Sequence, residues 1–463
     1  MNHVLKKGES ILFKEISLTT GSLKKVLLIF ALPLFLSQLF QTFYNTADTV
    51  IVGYCLGDLS LAAIGAVTAL FELVVGFCTG FGQGLAVIAA QKFGAKDMDG
   101  YRKVVGQSIL LSLAAAIILS VLMMIFLKDI LIFMKTSEDI LDLSYSYISV
   151  ICMGLWITVS YNLCAGMLRA AGDSTAPLVI LLISSILNIF LDLLFIISFH
   201  MGVTGTAWAT LLAQLISLII CVIWMLVRKK ELMPSLSDFK LDLSLDQELT
   251  MMGLSMAFMS SIVSAGSLIL QIVINVQGTM IVSGHTAARK ISSILMLPPA
   301  SLMMALSSFV AQNIGAKEYE RAEKGIAFSN RLAIYYSLAM TAIVYLLSNW
   351  IVATISGSSN SEVLDTGSLY LRTNIPFYPF LGVLLNLRMS LQSMSIKAVP
   401  IFSSVIELAG KVLFTLFIVP VTGYLGVCFT EPVIWIVMCL FLAFFYLRNP
   451  VFKEHGIRCR IFS

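Results

Sequence analysis

The chain has 463 residues, of which 58% are hydrophobic and only 12% charged, with a net charge of +4 and a mean hydropathy of +0.94. A water-soluble domain of this size could not hide so much apolar surface, so the solvent for most of the chain is a lipid bilayer. Eight scattered cysteines and four unclustered histidines argue against a disulfide frame, a metal centre or a bound cofactor, and the small net charge argues against a nucleic-acid partner.

Apolar stretches of about 20 residues or more mark spans. They predict twelve helices, near 26–54, 59–91, 104–127, 140–168, 176–199, 204–227, 248–277, 283–314, 325–348, 363–390, 398–420 and 424–447. The first long apolar run continues into others, so no cleavable secretion signal is visible. With the N-terminus inside, the inner segments hold most of the 30 Lys and Arg, including Lys6, Lys7, Lys14, Lys24 and Lys25, while the outer loops hold Lys128 and Lys135. The positive-inside rule demands this asymmetry, and an odd helix count would spoil it. Both termini are therefore expected in the cytoplasm.

The longest polar inner segment, Arg228 to Glu248, divides the helices six and six. The expected organisation is a cytoplasmic segment at 1–25, an N-lobe at 26–228, a cytoplasmic linker at 229–247, a C-lobe at 248–447 and a cytoplasmic tail at 448–463. An internal repeat supports it. Ala90-Gln-Lys-Phe-Gly-Ala-Lys96 ends helix 2 and Ala311-Gln-Asn-Ile-Gly-Ala-Lys317 ends helix 8; Pro177 opens helix 5 and Pro400 opens helix 11. Met201-Gly-Val-Thr-Gly205 precedes helix 6 as Thr422-Gly-Tyr-Leu-Gly426 precedes helix 12, while Asn45 and Thr49 match Asn275 and Thr279. The offsets are 221, 223, 221 and 230. Six is even, so the halves share an orientation, and parallel repeats of this kind are a transporter design with a cavity between them.

A charge at membrane depth is costly and usually marks an ion or substrate path. Asp48 lies ten residues before Asp58 of the outer loop, so roughly 15 Å below it. Asp192 lies eight residues before His200, or roughly 12 Å down, with Asn188 one turn deeper on the same face. On helix 6, Thr206 and Thr210 reach comparable depth. These oxygen ligands suit a hard cation such as Na⁺, at Asp48, Asn188 and Asp192, or a shared proton, and two such carboxylates would titrate as a pair. The blander reading is a buried network that only staples helices.

The C-terminal half does not copy this site. Asn188 falls on Lys411 and Thr210 on Glu431 at the repeat offsets, and Glu407 sits one turn from Lys411. A structural salt bridge or a substrate contact would both account for this cluster. Glu72 and Arg388 are further charges within spans. Gly76, Gly80 and Gly84 at four-residue spacing let helix 2 pack closely, and Pro33 permits bending of helix 1. There is no Gly-x-x-x-x-Gly-Lys-Ser/Thr, His-Glu-x-x-His or Gly-x-Ser-x-Gly pattern, and His285 has no evident partner, so an enzyme is not expected.

Asn45-Thr-Ala-Asp48-Thr-Val-Ile-Val-Gly53, Leu168-Arg-Ala-Ala-Gly-Asp173, Asn188-Ile-Phe-Leu-Asp192 and Gly202-Val-Thr-Gly205-Thr-Ala-Trp-Ala-Thr210 together resemble the multidrug and toxic compound extrusion (MATE) transporters of bacteria, and the likeness spans all twelve helices. It implies an all-α membrane protein of two pseudo-symmetric six-helix lobes in the cytoplasmic membrane. It further implies export of drug-like, often cationic, small molecules in exchange for H⁺ or Na⁺ by alternating access, here by a monomer. The family's N-lobe cation site matches Asp48, Asn188, Asp192 and Thr210, and its cavity positions match Gln41, Tyr44 and Asn162, with Asn45 counted beside them. Some members carry acids in helices 7 and 10 for a C-lobe Na⁺ site; the interiors of those helices hold none here. The alternative of like architecture is a lipid or lipid-linked glycan flippase, which calls for a strongly cationic cavity.

Overall fold

The computed structural model describes residues 16–462. The predicted N-terminal segment is thus seen only from Ile16, and Lys6, Lys7 and Lys14 lie outside the described residues. Each of the twelve predicted spans is a helix or a broken helix, and among the described residues there is no strand. The first six are α1 (Leu23–Leu56), α2 (Asp58–Gly94), α3 (Met98–Phe133), α4 (Glu138–Met153 and Leu155–Ala170), α5 (Thr175–Leu193, continued by a π turn at Leu194–Ser198) and α6 (Val203–Arg228). The second six are α7 (Leu243–Asn275), α8 (Thr279–Leu295 and Leu297–Gly315), α9 (Tyr319–Ser356), α10 (Ser361–Asn374 and Tyr378–Ser393), α11 (Ala398–Leu413, a π turn at Phe414–Ile418, then Val419–Thr422) and α12 (Tyr424–Leu447).

Among the described residues nine helices are individually long and apolar enough to cross a membrane, and two bent pairs raise the number to eleven. The bends have local causes. The halves of α8 meet at 40°, where Pro298 and Pro299 remove amide donors from the helical ladder. The 49° bend in α4 sits at Gly154. The twelfth span, α10, is interrupted at Pro376 and carries Glu362, Asp365, Arg372 and Arg388, so neither half is long and apolar.

The repeat read from sequence recurs in backbone detail. Gly202 (φ 61°, ψ −145°) and Gly423 (φ 59°, ψ −141°) open α6 and α12 in the same unusual conformation, which glycine adopts without steric cost. Lys96 and Lys317 end the matching Ala-Gln motifs at φ 58° and 61°. The π turns of α5 and α11 also correspond.

The described chain divides into two compact units. The first comprises the residues up to Gly21 together with Ile29–Phe258, and the second Ser22–Leu28 with Met259–Ser463. The division falls inside α7, downstream of the polar segment 229–247. The first unit's core draws Val67, Leu70 and Val74 of α2, Leu127 of α3, Ile151 and Leu155 of α4 and Leu211 of α6 together. Gly84 of α2 meets the backbone of Met252 and Gly253 so closely that a Cβ there would lie 2.5 Å from the Met252 carbonyl oxygen. Gly76, in the same predicted stripe, has open space instead. In the second unit Ala288, Ile291, Val344, Leu371, Ile375 and Cys428 form the main core. Its tail folds back: Arg460 N donates to Glu323 Oε1 (3.0 Å) and Asn330 Nδ2 to the Ile461 carbonyl (3.0 Å).

The segment between α6 and α7 is also ordered. Asp238 Oδ2 accepts from Ser235 Oγ (2.7 Å) and Ser235 N (2.8 Å), and Gln107 Nε2 of α3 donates to the Asp238 carbonyl (3.3 Å). The Ser235 hydroxyl and amide hold the Asp238 carboxyl below its usual range. A depressed acid contributes stability that is present above its unfolded value of about 3.9 and is lost as pH falls through the folded one. Amide protection across residues 235–240 should therefore be flat near neutrality and fall on acidification. Asp238→Asn should show the weakened protection already at neutral pH in a hydrogen-exchange measurement; unchanged protection would show the cap to be dispensable.

Candidate functional site

Three helices of the first unit bring the predicted acids together. α1 presents Gln41, Tyr44, Asn45 and Asp48; α5 presents Asn188 and Asp192; α6 presents Thr206 and Thr210. Asn188 and Asp192 are buried, at 3% and 1% exposure, and Asp48 is half-buried. Asp48 and Asp192 lie within electrostatic reach of each other. Asp48 Oδ1, both oxygens of Asp192 and both ends of the Asn188 amide are buried without a hydrogen-bond partner. Two carboxylates facing each other are both acceptors, so a proton or a cation between them would complete the contact. Four of the unpartnered atoms, Asp48 Oδ1, Asn188 Oδ1 and both Asp192 oxygens, are of the kind that hard cations prefer.

The other expected residues are placed less uniformly. Tyr44 contacts Gln41 and lies within electrostatic reach of Asp48, so α1 contributes a row of three. Asn45 is exposed, off the row. Thr206 Oγ1 turns back to the Val203 carbonyl (2.8 Å). Thr210 is half-buried and makes no hydrogen bond to either carboxylate. Asn162 Nδ2 bonds the Thr158 carbonyl of its own helix (2.9 Å), and Thr158 Oγ1 donates to Gln214 Oε1 (2.6 Å). Tyr147 of α4 was not anticipated: it lies within reach of Asp48, Asp192 and Tyr44. Its only sequence signal is the repeat, which pairs it at offset 223 with Tyr370.

The second unit holds the Glu407, Lys411 and Glu431 set, but split differently from expectation. Glu407 takes Lys411 Nζ on Oε1 (3.0 Å) and Arg388 Nη2 on Oε2 (3.5 Å), and Arg388 Nε donates to Ser403 Oγ (3.0 Å). Glu431 binds Arg289 Nη1 (3.0 Å) and the Tyr370 hydroxyl (2.8 Å). His285 is not isolated, contrary to the sequence reading. Its Nδ1 lies 3.0 Å from the Tyr424 hydroxyl, and its ring meets Tyr370 edge-on at 4.7 Å. Arg289 was missed because it lies inside a predicted helix among Ala287, Ala288 and Ile291, where spacing does not reveal a distant partner.

Known proteins agree with this architecture. The MatE family model matches residues 33–194 and 255–418, one segment running from α1 to α5 and the other from α7 to α11. The probable multidrug resistance protein YoeA of Bacillus subtilis strain 168 is 27% identical over 333 residues, covering 70% of this chain and 72% of that protein. The FAD transporter of Shewanella oneidensis is 22% identical over 439 residues, covering 92% of this chain and 95% of that protein. A crystal structure of MATE in the bent conformation superposes with a TM-score of 0.87 at 23% identity, covering 95% of this chain and 98% of that one. Twelve spans in two repeated halves and a family match across both halves lead to one conclusion: the chain is a multi-pass membrane protein that belongs to the MATE transporter family.

Proposed function

We propose that the protein is a secondary active efflux antiporter that exports amphipathic, often cationic, small molecules in exchange for H⁺ or Na⁺. One observation carries the reading: Asp48 and Asp192 come from different helices to within electrostatic reach of each other, and Asp48 Oδ1 and both Asp192 oxygens are buried without a partner. Two carboxylates within reach of each other repel, and more strongly in a low-dielectric interior than in water. A proton or a sodium ion relieves that repulsion, and the ion drives a conformational change only through a difference in affinity between states. Asn188 supplies a neutral amide beside the pair, and Tyr44 and Tyr147 supply hydroxyls around it. The protein then works as a monomer in the cytoplasmic membrane with both termini inside. The related proteins named above point to small molecules rather than to lipid-linked glycans.

Purified protein in vesicles, with pH and sodium gradients imposed separately, tests the reading. Export of a fluorescent cation such as ethidium should follow at least one of the two gradients. Export indifferent to both, or absent under both, would overturn the coupling scheme.

A further inference from the structure

The second unit contains a buried polar cluster that the coupling scheme leaves idle. Its charges do not balance. Arg388 and Lys411, at 4% and 3% exposure, share the single carboxylate of Glu407, while Glu431 is matched by Arg289. Lys411 also lies within electrostatic reach of Glu431, so the two groups form one cluster. Three cations and two carboxylates leave one positive charge uncompensated, in surroundings where an unpaired charge is far more costly than in water.

The cluster occupies the position that the repeat assigns to the acidic site of the first unit. At offset 223, Asn188 corresponds to Lys411, Asp192 to Thr415 and Tyr147 to Tyr370; at 221, Thr210 corresponds to Glu431. A π turn lies just beyond Asp192, at Leu194–Ser198, and another spans Thr415, at Phe414–Ile418, and such turns often sit at functional sites. Thr415 Oγ1 is buried without a partner, one turn from Lys411. Among the described residues Lys411 Nζ donates to Glu407 and, at 3.4 Å, to Ser267 Oγ.

We propose that this cluster is a binding site for the carboxylate of a substrate, with Lys411 as the cation that meets it and the Thr415 hydroxyl as a donor beside it. A singly charged anion matches a surplus of one, whereas a phosphate dianion would overshoot it. This goes beyond the coupling reading and does not depend on it, because binding is measured at equilibrium with no gradient.

Rhodamine 123 and rhodamine 110 make a matched pair of probes: the first is the methyl ester of the second, so they differ in one carboxylate. Fluorescence anisotropy with the purified full-length protein should show the free acid binding at least tenfold more tightly than the ester. Lys411→Met leaves Arg388 with Glu407 and Arg289 with Glu431, two neutral pairs, so the fold keeps its internal partners. That variant should bring the affinity ratio close to one with the ester's affinity unchanged, and Lys411→Arg should keep the preference. Equal binding of the two dyes by the wild type, failure of the free acid to bind, or a preference that survives Lys411→Met would each overturn the proposal.

Discussion

Replacing Asp48 by Asn is expected to abolish gradient-driven export, by at least a hundredfold, while the protein remains in the membrane at normal abundance. The amide has the size of the carboxylate, so the packing of α1 changes little. What it loses is the ability to exchange a proton, and most of its attraction for a monovalent cation. Removing one charge also ends the repulsion with Asp192, so Asp192 no longer needs a counter-ion and the difference in affinity that drives the cycle disappears. Asp192→Asn should do the same, and the double variant should be no worse than either, because residues that act as a unit are not additive. Tyr147→Phe removes one hydroxyl from the surroundings of the pair and should reduce export far less. Dye export from cells or vesicles at matched protein levels is the measurement. Export by Asp48→Asn at the wild-type rate would refute the assigned role.

The second large effect is on stability. Glu407→Gln strips Arg388 and Lys411 of their shared carboxylate, and both are almost wholly buried, with side chains 5% and 3% exposed. Removing one partner from a buried ion pair typically costs about 3–5 kcal/mol, because the charge left behind remains desolvated. At about 2–4 °C per kcal/mol for a unit of this size, the melting temperature in detergent should fall by about 10 °C. Glu431→Gln should cost less, since the side chain of Arg289 is 43% exposed and can be solvated in part. Lys411→Met should cost least, because it leaves the remaining charges paired. A melting temperature for Glu407→Gln within about 2 °C of wild type would mean that water already reaches the cluster.

Much of the architecture was written in local pattern. Most of the twelve spans could be counted because a bilayer demands a long, mainly apolar stretch for each helix. The repeat was visible in Gly202 and Gly423, where unusual backbone angles favour glycine, and in the matching Ala-Gln motifs that end at Lys96 and Lys317. The acids at Asp48 and Asp192 stood out for the same reason that lipid is hostile to them. Partners across helices were another matter. Nothing near Arg289 in the chain announces Glu431, 142 positions away, and Tyr147 is set apart from Tyr145 only by its repeat partner Tyr370.

The amino-acid order alone determined how often this chain crosses the bilayer, where it repeats and which residues bear a charge in lipid, because each is set within one helix and its solvent. Only the tertiary structure decided who meets whom. It brought Asp48 within electrostatic reach of Asp192, gave Glu407 two cations and Glu431 a different one, and seated His285 between two tyrosines. Those pairings depend on how helices rotate and bend against one another, and one residue's shift along a helix turns a side chain by about 100°.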